Sequence, residues 1–304
     1  MKKFGIILLL AAAVLPAHAQ DKVRQNEAFG FLRYEQNPAR AGLAGAGAAS
    51  AVGGGAFAAF GNPASAVLAP SKFEAVASYA RRSPNVSANT DLSAGISAHA
   101  GKGLAITAAF SRISMEKLDL GGISYSPSQM VAGAGLAIAL GGSLALGADV
   151  NYAKEQLLED YSLSSVAADV TLQYSKGGLG LAGGVRSLGG KINSESGIAS
   201  SLPTSAMLAA SYNVAAGPVG LTLCADADYY LSGNWSAAAG LEASIAGTVL
   251  LRAGYRASSE LAVTPSHLAL GAGLSLGFAT IDIAWLTASE TIGNSLVAGA
   301  KVNF

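Results

Sequence analysis

Few residues of this chain have side chains that commonly act in catalysis or metal binding. The 304 residues include one cysteine, Cys224, and three histidines, at positions 18, 99 and 267. A serine or cysteine hydrolase needs its nucleophile near a histidine and an acid, and neither His99 nor His267 lies in a nucleophile motif. A single cysteine excludes an internal disulfide and a cysteine-cluster metal site. The sequence therefore predicts no enzyme, no metal site and no cofactor.

The charged residues follow a two-residue period instead. Between Val219 and Asp228 the odd positions are apolar, and the even positions carry Thr222, Cys224, Asp226 and Asp228. Successive side chains of a strand point to opposite faces, so these acids share one face. The same rule predicts a polar network on that face, joined by Arg40 of the N-terminal segment and formed by Glu74, Asp149, Asp169, Arg186, Asp226, Asp228, Glu242, Arg252, Arg256, Asp282 and Lys301.

Three roles are compatible with such a network. It could line a polar path for a solute, provide a docking surface for a plug, or consist of paired charges that fill an interior. Buried charges are tolerated when they are paired. We expect the third role to dominate.

The composition limits the kind of element that could carry this face. Hydrophobic residues make up 51% of the chain and charged residues 12%, with 38 glycines and a mean hydropathy of +0.41. This excludes a disordered chain. Beyond the N-terminus no unbroken apolar run reaches the roughly 18 residues of a membrane helix. A chain like this meets lipid only as a closed sheet. With 19 acids and 19 bases, the sequence predicts no nucleic-acid partner.

The N-terminus has the features of an export signal. Lys2 and Lys3 precede an apolar stretch over residues 4–15, and Ala17 and Ala19 form a small-x-small cleavage site. We expect cleavage after Ala19, so that residues 1–19 are a signal peptide and the mature chain is exported.

Residues 71–304 divide into strand-length segments at turn signals. Fourteen segments result, at 73–82, 91–101, 103–116, 128–140, 143–156, 163–175, 178–190, 203–214, 217–230, 234–245, 247–258, 266–277, 278–289 and 293–304. Tight links such as Gly141-Gly142 alternate with longer ones such as 117–127, as in outer-membrane barrels. The prediction is an all-β fold, a 14-stranded antiparallel transmembrane β-barrel in the outer membrane of a Gram-negative cell. Outer-membrane lipid and lipopolysaccharide would be its surroundings.

Aromatic residues fall near the two predicted rims. The outer set is Tyr79, Phe110, Tyr152, Tyr229, Trp235, Tyr255 and Trp285, and the periplasmic set is Phe73, Tyr174, Tyr212, Phe278 and Phe304. Amphipathic rings favour the headgroup level, so two aromatic girdles are expected.

Residues 20–70 differ from the strand region. They are rich in glycine and alanine, and Asn62 before Pro63 predicts a helix start that Pro70 ends. We expect a compact plug or hatch inside the barrel, because small residues permit close packing.

Three motifs of this segment carry a family resemblance: Phe31-Leu32, the glycine-rich residues 39–47 and Phe60-Gly-Asn-Pro-Ala64. They resemble the opening of the PorV/PorQ family, outer-membrane barrels of Bacteroidota-type bacteria associated with type IX secretion. That family is similar in turn to the long-chain fatty-acid transporter barrels, which have 14 strands and an N-terminal hatch. The resemblance implies a non-enzymatic protein that assists secretion or surface attachment of exported proteins, with secretion-machinery or surface proteins as partners.

Two further functions stay open. One is an outer-membrane transporter or channel for hydrophobic or small solutes, similar to the fatty-acid transporters. The other is a structural barrel whose loops bind partners. Fold-level analogy alone does not decide between them.

Overall fold

The computed structural model describes residues 27–82, 89–120, 123–158, 161–193, 199–260, 262–287 and 293–304. The expected signal peptide, residues 1–19, lies outside these ranges, as does the first part of the expected plug. No helix in the described ranges is long and apolar enough to cross a membrane.

Eighteen strands form in the described ranges. They are β1 (Phe73–Arg82), β2 (Asn89–His99), β3 (Leu104–Met115), β4 (Leu118–Leu120), β5 (Ile123–Tyr125), β6 (Ser128–Ala139), β7 (Leu144–Leu158), β8 (Tyr161–Lys176), β9 (Leu179–Leu188), β10 (Ile192–Asn193), β11 (Ala199–Ser200), β12 (Ser205–Ala216), β13 (Val219–Tyr230), β14 (Trp235–Ile245), β15 (Val249–Ser258), β16 (His267–Ser275), β17 (Ala279–Leu286) and β18 (Ser295–Asn303).

Fourteen of these strands close into one antiparallel barrel, which confirms the predicted fold. Sequential neighbours pair around the ring, and β1 pairs with β18 to close it. The seam runs from Glu74 opposite Asn303 to Arg81 opposite Leu296. The remaining strands form two short hairpins, β4 with β5 and β10 with β11, in segments that were predicted to be loops.

The two rims of the barrel differ. Tight links such as residues 101–103, 140–143 and 177–178 join strands at one rim, which we call the tight-turn rim. The other rim carries the longer connections and both short hairpins, and we call it the long-loop rim. In outer-membrane barrels the short turns are periplasmic, so the long-loop rim corresponds to the outer face.

Side chains alternate between the two faces of the wall. In β13 Leu223 and Tyr229 are exposed on the outside, whereas Cys224, Asp226 and Asp228 are buried on the inside. Apolar residues and the predicted girdle aromatics thus face outward. A lipid-facing charge at mid-bilayer costs about 2–4 kcal/mol for Arg or Lys, which accounts for this sorting.

One irregularity interrupts the wall, between β8 and β9. The pairing shifts from Val170 opposite Val185 to Ala168 opposite Leu188, so β9 carries one additional residue there. Ser187 takes a left-handed conformation with φ 51°. Its backbone N–H donates to Asp169 Oδ1 at 2.6 Å. Arg186, the other residue of the bulge, keeps the inward direction that alternation after the outward Val185 gives it.

Residues 27–70 occupy the lumen, and we call this segment the plug. It contains short helical turns only: 3-10 turns at Gly30–Arg33, Gly55–Phe60 and Pro63–Leu68, and one α-helical turn at Pro38–Ala41. The plug runs from the long-loop rim, where Ala28 donates to the backbone of Ser201, to the tight-turn rim, where Phe73 begins β1.

The helix expected between Asn62 and Pro70 is the 3-10 turn Pro63–Leu68. The Asn62 side chain makes no capping bond, because it reaches the wall instead. Asn37 does cap its turn, accepting from the backbone N–H of Ala39 at 3.0 Å.

Candidate functional site

The plug is fastened to the wall most directly through Asp226 of β13. Its carboxylate accepts the backbone N–H groups of Gly47 and Ala48, each at 2.9 Å. Arg40 donates to the same carboxylate at 3.3 Å and to the Gly45 carbonyl at 2.6 Å. Glu35 holds the other end of this guanidinium at 3.1 Å. One buried wall acid therefore fixes two backbone groups and the only arginine of the Pro38–Ala41 turn.

A second set of fastenings is uncharged. Asn62 donates to Gln173 of β8 at 2.6 Å, and Gln173 donates to the Ala49 carbonyl at 3.2 Å. Ser211 of β12 also donates to that carbonyl, at 2.9 Å. Because all four residues are buried, each of these hydrogen bonds replaces one that water would otherwise make.

Glycines on the inner face let the backbones of plug and wall meet. A side chain at Gly254 of β15 would collide with the backbone of Leu43. One at Gly147 of β7 would collide with the backbone at Pro63 and Ala64. The high glycine content thus serves a close backbone fit.

Three wall residues form a buried ion triad toward the tight-turn rim. Arg252 donates through Nε to Glu242 at 2.7 Å and through Nη1 to Asp282 at 2.6 Å. The two acids lie on β14 and β17, so the arginine links three strands across the inner face. A guanidinium presents fixed donors that suit two carboxylates at once.

The opposite part of the wall carries an acidic group. Asp149 and Asp169 are direct cross-strand partners and both are buried. Arg186 lies in the bulge and reaches Asp228 at 3.7 Å and the plug carbonyl of Phe60 at 3.2 Å. Three acids thus lie near one arginine here, against two acids for one arginine in the triad.

The structure places all twelve residues of the predicted network in the lumen. Seven of them make ion pairs: Arg40, Arg186, Asp226, Asp228, Glu242, Arg252 and Asp282. Five make none within the described ranges: Glu74, Asp149, Asp169, Arg256 and Lys301. Glu74 accepts the plug N–H of Ala56 at 3.2 Å, and Arg256 donates to the Ala44 carbonyl at 2.9 Å. Ion pairing alone therefore does not account for these twelve residues, because several of them bind the plug.

Sequence reasoning missed a cluster at the long-loop rim. Arg82 of β1 lies 3.6 Å from Asp91 of β2 and over the Tyr34 ring at 4.8 Å. Arg33 pairs with Glu27 at 2.5 Å and covers the Tyr230 ring at 3.5 Å. Arg82 is an even-numbered residue of β1, as Glu74 is, so the two-residue period predicts that both side chains face the lumen. The period could therefore have identified Arg82. Burial raises the pKa of the Tyr34 phenol, and the Arg82 guanidinium opposes that shift.

Two cavities approach the plug from opposite rims. The cavity on the long-loop side measures about 50 Å³ and is lined partly by Arg40, Ala41 and Ala44. The cavity on the tight-turn side measures about 230 Å³ and is lined partly by Pro38 and Ala39. The single turn Pro38–Ala41 therefore separates them.

No family model matches the chain, and no curated protein matches it. Solved structures do match: the toluene transporter TbuX of Ralstonia pickettii has a TM-score of 0.64 at 12% identity, covering 88% of this chain and 98% of TbuX. A FadL homologue of Pseudomonas aeruginosa has a TM-score of 0.63 at 11% identity, covering 92% of this chain and 100% of its own. The toluene transporter TodX of Pseudomonas putida has a TM-score of 0.57 at 14% identity, covering 81% and 93%.

The fold is that of FadL-like outer-membrane barrels. At these identities the likeness establishes architecture and no activity. Of the three structures named here, TbuX and TodX are described as toluene transporters. None of them is described as a PorV/PorQ protein, so that family is not established by these matches.

Proposed function

We propose that this protein is a non-enzymatic outer-membrane channel for small solutes, gated by its own plug. One observation carries the proposal: the Pro38–Ala41 turn is the barrier between a cavity on the long-loop side and one on the tight-turn side. A displacement of that turn would join the two cavities. Transport through barrels of this fold, as the names of TbuX and TodX state for those proteins, supports the proposal.

The turn is held in a way that permits release. It is only four residues long, and Arg40 joins it to the wall through Asp226. The turn itself contributes only small apolar side chains to the packing: Ala41 meets Val297 and Leu286 of the wall, and Gly42 lies against Gly271. Segments with few buried apolar contacts open at low free-energy cost.

Both cavities have polar and apolar lining residues, which fits small organic solutes better than long alkyl chains. The long-loop cavity combines Leu32 and Phe60 with arginines, and the tight-turn cavity combines Phe57 and Leu250 with Lys301. The candidate solutes therefore include monoaromatic compounds and small polar molecules.

Uptake into vesicles tests the proposal. Purified protein is reconstituted as wild type, as Asp226→Ala, which removes the bonds of the wall to Gly47, Ala48 and Arg40, and as Asp149→Asn, which alters a wall acid that makes no bond to the plug. Labelled benzoate and a labelled small sugar serve as probes. Asp226→Ala should admit at least one probe faster than the other two proteins do. If every protein, Asp226→Ala included, matches empty vesicles for both probes, the channel proposal is wrong.

The secretion-associated function rests on the N-terminal motifs alone. If it held, deletion of the gene would trap exported cargo with C-terminal sorting domains in the periplasm. Normal surface display of such cargo in the deletion strain would remove that alternative.

A further inference from the structure

The outward face of the barrel carries charge of one sign only. Every acidic residue of the fourteen barrel strands points into the lumen. The charged side chains that point outward from those strands are all basic: Arg81, Arg112, Lys154 and Lys176. A wall facing neutral lipid would gain nothing from this bias, because an outward charge of either sign costs free energy.

Three of these cations lie at the long-loop rim on alternate strands of the ring. Arg81 is the penultimate residue of β1, Arg112 lies three residues before the end of β3, and Lys154 lies in the last third of β7. Arg112 and Lys154 both align with Met130 of β6. Two strand spacings therefore separate them, about 10 Å. Arg81, Arg112 and Lys154 make no ion pair within the described ranges, and we call them the basic row.

Each cation of the basic row follows an outward aromatic residue by two positions. The pairs are Tyr79 with Arg81, Phe110 with Arg112, and Tyr152 with Lys154. The three rings are 40%, 42% and 42% exposed. Because β1, β3 and β7 all run toward the long-loop rim, each cation lies farther out than its ring. Aromatic rings settle at the headgroup level, so the cations reach the polar part of the leaflet.

The remaining wall lacks this arrangement. Tyr229, Tyr255 and Trp285 are also outward and near the long-loop rim. The residues two positions beyond them are Leu231, Ala257 and Thr287, none of which is charged. The basic row is therefore confined to the β1–β7 side and is not a general feature of the girdle.

We propose that the basic row binds the phosphate groups of lipopolysaccharide, the phosphorylated glycolipid of the outer leaflet. Guanidinium and ammonium groups form charge-assisted hydrogen bonds with phosphate oxygens. Each Lys or Arg near an anionic membrane surface contributes about 1 kcal/mol of attraction. The inference rests on the chain spanning an outer membrane, and it does not depend on passage of any solute.

Two matched triple variants test the proposal. One replaces the basic row: Arg81→Gln, Arg112→Gln and Lys154→Gln. The control removes three exposed cations at the tight-turn rim: Lys72→Gln, Lys102→Gln and Lys176→Gln. Binding of lipopolysaccharide to the purified proteins in neutral detergent is measured with the native glycolipid and with a preparation from which the lipid phosphates have been removed.

The basic-row variant should bind native lipopolysaccharide at least about tenfold more weakly than wild type. The control should match wild type, and wild type should lose a similar factor with the dephosphorylated glycolipid. A charge-keeping variant, Arg81→Lys with Arg112→Lys and Lys154→Arg, should bind within about threefold of wild type, because it keeps a positive charge at all three positions.

Three outcomes would overturn the proposal. The control variant could lose as much binding as the basic-row variant. Dephosphorylated and native glycolipid could bind equally to wild type. Inorganic phosphate at millimolar concentration could displace the glycolipid completely, which would indicate a site for the free ion. Vesicle uptake measured separately distinguishes these failures from a failure of the channel proposal.

Discussion

Asp149 of β7 and Asp169 of β8 are direct cross-strand neighbours on the inner face of the barrel, and both are buried. Neither makes an ion pair within 4 Å in the described part of the chain. Like charges directly opposite each other in a sheet are destabilising. Asp169 has a compensating role because it accepts the Ser187 N–H of the β-bulge at 2.6 Å, whereas Asp149 accepts the side chain of its own-strand neighbour Asn151 at 2.7 Å.

The two acids should therefore respond differently to substitution. Asp149→Asn keeps the shape of the side chain and removes one of two adjacent acids, so it should not lower the free energy of unfolding and should raise it by at most ~1 kcal/mol. Asp169→Ala removes the acceptor of a backbone N–H and should lower it by ~1–3 kcal/mol. Urea unfolding in lipid vesicles measures both, and equal destabilisation by the two substitutions would contradict this assignment.

Cys224 offers a reporter of plug movement. It is the only cysteine of the chain and packs in one cluster with Leu43 and Ala46 of the plug. Asp226→Ala removes the nearby fastening and should increase the labelling rate of Cys224 by a thiol reagent by about tenfold or more. Asp282→Asn serves as the control and should leave the rate unchanged. Equal rates in both variants would show that Asp226 does not hold the plug in place.

The ion triad should be sensitive to loss of its cation. Arg252→Ala leaves Glu242 and Asp282 as unpaired buried acids and should lower the free energy of unfolding by ~3–5 kcal/mol. The additional substitutions Glu242→Gln and Asp282→Asn remove those charges and should restore most of the loss. An unchanged unfolding midpoint in the single variant would mean that water replaces the guanidinium without cost.

Because plug and wall fit closely, we expect Gly254 to be sensitive to substitution. Gly254→Ala forces a methyl group into the Leu43 backbone and should cost ~1–3 kcal/mol. Gly103→Ala is the control, since its nearest neighbour would be Ala139 Cβ at 3.8 Å, and its effect should stay within about 0.5 kcal/mol. The same unfolding assay compares them. Similar midpoints for both variants would indicate that the plug shifts to make room.

The barrel could be predicted from sequence because side-chain alternation and turn signals depend only on residues that are close in sequence. β1 has the expected bounds 73–82, and most other strands end within two or three residues of expectation. The hairpins β4–β5 and β10–β11 were missed because strands of two or three residues give no period to detect. The bulge at Ser187 was missed because its cause, the bond to Asp169, joins residues on different strands.

The plug contacts show where local rules end. The two-residue period of β13 predicts that Asp226 faces the lumen. No pattern in the sequence predicts its hydrogen bond with the backbone N–H of Gly47, 179 positions away. That link depends on the path of an alanine- and glycine-rich segment with no period of its own. The same reason explains why Glu35, which holds Arg40, was not identified.

The path of the plug also constrains how the molecule is made. Its N-terminal end lies at the long-loop rim, and its C-terminal end continues into β1. β1 in turn pairs with β18 to close the barrel. If the barrel closed first, residues 27–70 would have to enter it afterwards, although they are covalently joined to β1. Biogenesis is simplest if translocation delivers residues 27–70 first and the remaining sheet then wraps around them, with the β1–β18 contact made last.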